Sequence, residues 1–193
     1  MLCSHFPGCR WPAGLNKQGM QKGCTHVYYG DGKGKTTAAL GLSLRAAGAG
    51  LRVGFIQFLK GRATAEAHAL ASMQERILHR QFGTPEFITG APSQADYDAA
   101  RAGWHAVRTM VAHEELHVLV LDEMLDVMAH GLIAEAEVLD FISHKPAHLE
   151  CVLTGHVVSD ALVEAADLVT HMKQVKHYYH SGKRKTAREG IEC

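Results

Sequence analysis

Residues 29–37 read Tyr-Gly-Asp-Gly-Lys-Gly-Lys-Thr-Thr. An apolar run, His26-Val27-Tyr28-Tyr29, leads in, and an alanine- and leucine-rich run leads out. Strand, glycine-rich loop and helix N-terminus in that order make a cradle for phosphate groups. The glycines let backbone N–H groups turn inward, and the helix aims its positive dipole end at the anion. Within Gly30 to Thr37, Lys33 and Lys35 supply positive charge. Lys35 is placed for phosphate oxygens and the Thr36 hydroxyl for a magnesium ion. One position departs from the common pattern G-x-x-x-x-G-K-[ST]. It asks for glycine five residues before Gly34, where this chain has Tyr29. The nearest glycine is Gly30, so the loop is one residue short.

A phosphate cradle of this kind sits at the edge of an open sheet, and the chain is long enough to build one. Its 193 residues, 47% hydrophobic and 21% charged, suit one soluble domain with a sizeable core. Lys plus Arg and Asp plus Glu both number 20, so no net field draws the protein to nucleic acid or to a membrane surface. No apolar run approaches the roughly 18 residues of a membrane-spanning helix. The N-terminus lacks the apolar stretch of a signal peptide. The five cysteines, Cys3, Cys9, Cys24, Cys151 and Cys193, are scattered and odd in number, which points to a reducing, cytoplasmic setting.

Residues 1–22 carry Pro, Gly, Cys and Trp without periodicity and read as an irregular extension; Met20 offers a start just ahead of the first strand. Cys3, His5 and Cys9 lack the second pair that a zinc finger needs. From there, strands and helices alternate through one domain, 23–193. Residues 26–29 form a strand, and Thr36 to about Ala49 a helix with apolar Ala39, Leu40, Leu42, Leu44, Ala46 and Ala47, stopped by Gly48 and Gly50. Residues 53–58 form a strand apolar enough to be buried on both faces. A helix is expected over 64–75, a short strand over 76–80 and a loop over 81–92. Ser93 caps a long helix to about His113 with Asp96 completing a capping box, and Ala100, Trp104, Val107 and Val111 mark its core face. A buried strand, 118–123, ends in two acids. Helices at 123–130 and 134–144, a strand at 151–154, a helix at 159–166 and a last strand at 168–172 follow. Repeated β-α-β units with buried strands predict a mostly parallel α/β sheet with helices on both faces.

Asp122-Glu123 at the end of an apolar strand is the expected partner of the glycine loop. A carboxylate there lies beside the loop's threonine and completes a magnesium shell; the competing role is a cap for the helix starting at 123. His113-Glu114-Glu115-Leu116-His117 spells H-E-x-x-H, but zinc chemistry needs both histidines on one continuing helix, and His117 opens a strand. The stretch Lys173 to Arg188 mixes basic residues with Tyr178 and Tyr179. It could be a solvated surface, a nucleic-acid contact or a cover over a polyanionic ligand.

The ordered series G-D-G-K-G-K-T-T-A-A-L-G, V-G-F-I-Q-F-L-K-G (53–61), L-V-L-D-E (119–123) and L-T-G-H (153–156) is distinctive. It continues with A-D-L-V-T (166–170), V-K-H-Y-Y (175–179) and G-I-E (190–192). Together these segments resemble the P-loop (CobA-type) ATP:corrinoid adenosyltransferases over residues 23–193, and the short glycine loop is itself a feature of that family. The resemblance implies a P-loop NTPase-like (RecA-like) fold and a reaction in which a reduced Co(I) corrinoid attacks C5′ of ATP. Triphosphate leaves intact, in adenosylcobalamin biosynthesis or salvage. It further implies ATP as cosubstrate, magnesium or manganese, a flavin or other reductase as electron source, and a homodimer. Carried over by motif, Gly30, Asp31, Gly32, Lys33, Gly34, Lys35, Thr36, Thr37 and Lys60 bind the nucleotide. Thr36, Asp122 and Glu123 hold the metal, and Lys35 and Glu123 are the catalytic pair. Because the cobalt is the nucleophile, no side-chain nucleophile is expected, and catalysis is mostly positioning.

Two departures stand out. His156 occupies a position where the family usually has arginine, so a fixed cation becomes a titratable one. The family's Phe-x-Trp segment against the corrin is replaced by 81–92, where Phe82 and Phe87 are the available aromatics. Phe82, Phe87 and His156 are therefore the corrinoid-facing candidates. The competing functions are a P-loop kinase or ATPase acting on another small molecule, and a non-catalytic nucleotide-dependent binding module.

Overall fold

A computed structural model of the protein describes residues 22–178, 188, 190 and 191. The expected extension 1–22 with Cys3, His5 and Cys9, and the motif residues Tyr179 and Glu192, lie almost wholly outside these residues. Twelve elements follow one another: β1 (Thr25–Tyr29), α1 (Lys35–Gly48), β2 (Val53–Phe58), α2 (Ala65–Ala71), β3 (Ile77–Phe82) and α3 (Gln94–His113), then β4 (Val118–Asp122), α4 (Met124–Ala129), α5 (Glu135–His144), β5 (Glu150–Gly155), α6 (Asp160–Ala165) and β6 (Leu168–His171). The strands form one sheet in the order β3-β2-β4-β5-β1-β6, every pair parallel. Helices cover both faces, as in P-loop NTPase-like domains.

Alternation along the strands divides the core. Val118 and Val120 pack with Phe55, Val152 and the small α1 residues Ala39, Ala46 and Ala47. Leu119 and Leu121 face the other way, toward Trp104 and Val107 of α3 and Met124 and Leu125 of α4. Phe55, Ile56 and Phe58 are fully buried, each side chain contributing about 1.5–3 kcal/mol. Burial on both faces is what a covered parallel sheet imposes on β2 and β4.

Three expectations need correction. The buried stripe of α1 is Ala39, Ser43, Ala46 and Ala47, while Leu44 is 59% exposed. Small residues let the helix lie close to the sheet, with Ser43 satisfied by the Ala39 carbonyl at 2.8 Å. The helix expected over 64–75 ends at Ala71, and β3 continues to Phe82, so Gln81 and Phe82 belong to a strand rather than to a loop. β6 is exposed along its length because it is an edge. The Ser93–Asp96 capping box of α3 is present on both sides.

Candidate active site

Open parallel sheets bind ligands outside the carboxyl ends of their strands, and the candidate side chains from the glycine loop and the end of β4 gather there. β1 ends at Tyr29 and α1 begins at Lys35, leaving residues 30–34 to turn the chain. Gly30 (φ 120°) and Gly34 (φ 126°) take backbone conformations that a side chain disfavours. Gly34 is the cap of α1, which carries no side-chain cap, so the first-turn N–H groups are left for another acceptor.

The loop is held from below and behind. Gly30 N–H is shared between the Gly155 and His156 carbonyls at 3.2 and 3.1 Å, and Gly32 N–H donates to the Met172 carbonyl at 2.7 Å. The Asp31 carboxylate accepts from Gln174 N–H at 3.0 Å, which keeps its pKa below the usual carboxylate value. Lys33 Nζ donates to the Ile191 carbonyl at 2.8 Å. The side chains of Asp31 and Lys33 thus both reach the chain after β6. Tyr29 stacks on His171 at 4.6 Å, and the Arg188 guanidinium lies 4.8 Å above the Tyr178 ring. The described residues after β6 thus pack against the glycine loop and against one another.

Lys35 is buried, and its Nζ donates to the Gly30 and Gly32 carbonyls at 2.7 and 3.1 Å. Thr36 lies one residue further on, and its hydroxyl donates to Asp122 Oδ1 at 2.9 Å. That bond brings together two residues the sequence separates by 86 positions. It leaves the threonine lone pairs free for a cation. Thr37 is exposed on the same turn.

Asp122 is fully buried at the end of β4. Besides Thr36, it accepts from the Thr154 hydroxyl at 2.7 Å and from Gln57 Nε2 at 3.1 Å. It does not cap α4: Glu123 holds that position in a left-handed conformation (φ 64°), its N–H given to Thr154 Oγ1 at 2.9 Å. Burial, then the neighbouring Asp122, pushes the Glu123 carboxyl up to about 8, while Lys60 works in the opposite direction. Lys60 therefore shares the field of this acidic pair. The hydroxyl and carboxylate oxygens of Thr36, Asp122 and Glu123 are hard donors of the kind magnesium and manganese prefer.

His156 joins the same region. Its backbone N–H and ring Nδ1 meet the two Asp126 oxygens, each at 3.0 Å. Ligand atoms of Glu123, Asp126 and His156 lie within 4.8 Å of one another. The two aromatics are placed differently. Phe82 packs at the edge of the core beside Gly103 of α3, and Phe87 stands 91% exposed. Phe87 and Ile88 line a cleft of about 490 Å³ in the 84–96 segment. Gly61 and Gly83 seat that segment tightly against the end of β2, next to Lys60. A second cavity, about 360 Å³, opens at the opposite end of the sheet near Leu116, His117 and His148. α3 ends at His113 before His117 is reached, so the H-E-x-x-H residues do not share a helix.

Thr154, Asp126 and Gln57 were not singled out from sequence. Each lies within or beside a motif segment, but only the sheet register shows what each touches.

Comparison with known proteins agrees with this picture. Residues 21–193 match the family described as ATP:corrinoid adenosyltransferase BtuR/CobO/CobP. A corrinoid adenosyltransferase of Pseudomonas aeruginosa is 34% identical over 173 residues, covering 89% of this chain and 84% of the relative. The corrinoid adenosyltransferase CobA of Salmonella typhimurium is 32% identical over 178 residues, covering 89% and 86%. One from Escherichia coli K12 is 30% identical over 163 residues, covering 84% and 82%.

Proposed function

Because the chain belongs to the ATP:corrinoid adenosyltransferase family, we propose how its own residues divide the work of that reaction. The enzyme transfers the adenosyl group of ATP to a corrinoid. Residues 30–37 form the phosphate-binding loop, with the N–H groups at the start of α1 and the Lys35 ammonium directed at the triphosphate. The observation that carries this reading is the Thr36–Asp122 hydrogen bond, which couples the loop to the acidic end of β4.

Cobalt of the reduced corrinoid is the nucleophile, C5′ of ATP the carbon attacked, and triphosphate the leaving group. The chain must therefore stabilise charge that grows on the oxygen leaving C5′, and hold the nucleotide in line for attack. Lys35 and the α1 dipole supply that stabilisation. Thr36, Asp122 and Glu123 would hold a magnesium or manganese ion. A divalent cation there neutralises triphosphate charge. Lys60 adds a positive charge on the ligand side of β2. The short loop suits a triphosphate that departs whole rather than a γ-phosphate that is handed on.

The corrinoid is placed over the cleft of the 84–96 segment, with exposed Phe87 as its apolar contact and His156 at the far margin. Phe82 supports this surface from the core. A flavin or other reductase supplies the electron, and the working unit is a cytoplasmic homodimer, which light scattering would test. The test of the reaction is anaerobic incubation with ATP, magnesium and chemically reduced corrinoid. Adenosylcorrinoid and triphosphate are expected; ADP with unchanged corrinoid would overturn the reading.

A further inference from the structure

Gln57 lies inside β2, where all six residues are buried, and is itself fully buried. An unpaired amide in such a place costs about 1–3 kcal/mol. This one is fully engaged. Its Nε2 donates to Asp122 Oδ2 and to Glu66 Oε1, both at 3.1 Å. Its Oε1 lies 2.9 Å from His79 Nε2 and accepts from Gln81 Nε2 at 3.1 Å.

Sheet register explains the meeting. Gln57 pairs with Asp122 on β4 and with Gln81 on β3. Paired residues point to one side of a parallel sheet, and His79, two positions before Gln81, shares that side. Phe55, two before Gln57, packs toward α1 and α2, so the polar row faces the helices that carry Thr36 and Glu66.

The chemistry of the partners fixes the amide. Ionised carboxylates only accept hydrogen bonds, so the NH2 group must face Asp122 and Glu66, and the carbonyl must face His79 and Gln81. His79 then donates through Nε2. A neutral donor has a specific advantage here. Lysine or arginine would also bind Asp122, but would cancel the negative charge that a cation needs. Glutamine orients the carboxylate and leaves its charge intact, and Glu66 adds negative potential from behind.

We propose that Gln57 is a positioning residue: its amide fixes the Asp122 carboxylate so that Oδ1 meets Thr36, while Glu66, His79 and Gln81 lock the amide in that orientation. This rests on the reading of Asp122 as a metal-holding group. Partners that orient metal ligands typically change metal affinity by about 10- to 100-fold.

The test compares two affinities by calorimetry: that for manganese-ATP, and that for ATP with chelator. Gln57→Met keeps the volume and removes the hydrogen bonds. The expected result is a roughly tenfold loss in manganese-ATP affinity with metal-free ATP affinity unchanged, and partial rescue of kcat/KM at high manganese. Should the variant fold poorly, Glu66→Ala, at a half-buried site, is expected to move the same ratio in the same direction by less. A lowered thermal midpoint with a wild-type affinity ratio in both variants would overturn the proposal. Asp122→Asn separates the two levels. If it collapses the ratio while the Gln57 and Glu66 variants do not, only the positioning role falls. If it leaves the ratio unchanged, the metal reading and the proposal fall together.

Discussion

Asp126 grips His156 at two points, its Oδ2 taking the backbone N–H and its Oδ1 the ring Nδ1, each at 3.0 Å. Nδ1 is thereby committed as a donor, and Nε2 is the nitrogen left to meet a ligand. Removing the carboxylate frees both the ring and the turn after β5. Asp126→Ala is expected to lower stability by about 1–3 kcal/mol and to raise KM as His156→Ala does. In a double-mutant cycle the kinetic losses should be strongly non-additive, because the two residues share one interaction. Additive losses would show that the pair does not act as a unit.

Lys35 carries the loop's buried positive charge. Lys35→Ala should reduce kcat by at least about 10²-fold, the scale on which a preorganised donor at a developing anion matters. Adenosylcorrinoid formation under anaerobic conditions measures it. Retained turnover with unchanged ATP affinity would remove Lys35 from the triphosphate site.

Glu123 predicts a pH dependence of stability for the enzyme free of nucleotide and metal. Its ordinary value of 4.5 rises to about 8 in the fold. Between those values the unfolded chain has lost the proton while the folded protein keeps it. The contribution is therefore fully present below about 4.5 and is lost as pH rises through 8. Glu123→Gln stays neutral throughout. Its thermal midpoint should exceed wild type at pH 8, and the gap should close toward pH 4.5. A constant gap across that range would refute the burial argument.

Two glycines should respond oppositely to alanine. At Gly32 a Cβ would lie 2.5 Å from the Met172 carbonyl, whereas at Gly41, inside α1, nothing lies within 4 Å. Overpacking at Gly32 should cost about 1–3 kcal/mol and weaken ATP binding. Gly41→Ala should gain about 0.5–1 kcal/mol from helix propensity. Urea denaturation of both variants reports the sign directly.

Cys151 is fully buried, and burial pushes its thiol up to about 12. Alkylation of the native protein at pH 8 should spare it, with peptide mapping showing label at Cys151 only after denaturation. Label in the native protein would mean that β5 opens readily.

Much of the fold was legible in the residues themselves. Runs such as Val53–Phe58 and Val118–Asp122 are too short and too apolar for anything but covered strands, and the glycine loop dictated what must flank it. Less legible were features that depend on neighbours distant in sequence. Gln81 looks like a loop residue because its polarity is satisfied by Gln57, on an adjacent strand, and by Thr64, neither of them a neighbour in sequence. Leu44 looks like core because α1 hides its true face behind alanines and Ser43. Asp122 was expected beside Thr36, and lies there. Thr154, which serves both Asp122 and Glu123, carries no local signal, since an isolated threonine at a strand end has many ordinary uses.

β1, the first strand of the sheet, is flanked by the last two. The Thr25 amide closes on Asp167, 142 residues away. A chain emerging vectorially from the ribosome therefore makes its glycine loop early and can finish it only late. Until β5 and β6 arrive, the strand that leads into the loop has no lateral partners. The order of synthesis thus keeps the glycine loop from maturing before the sheet around it is complete.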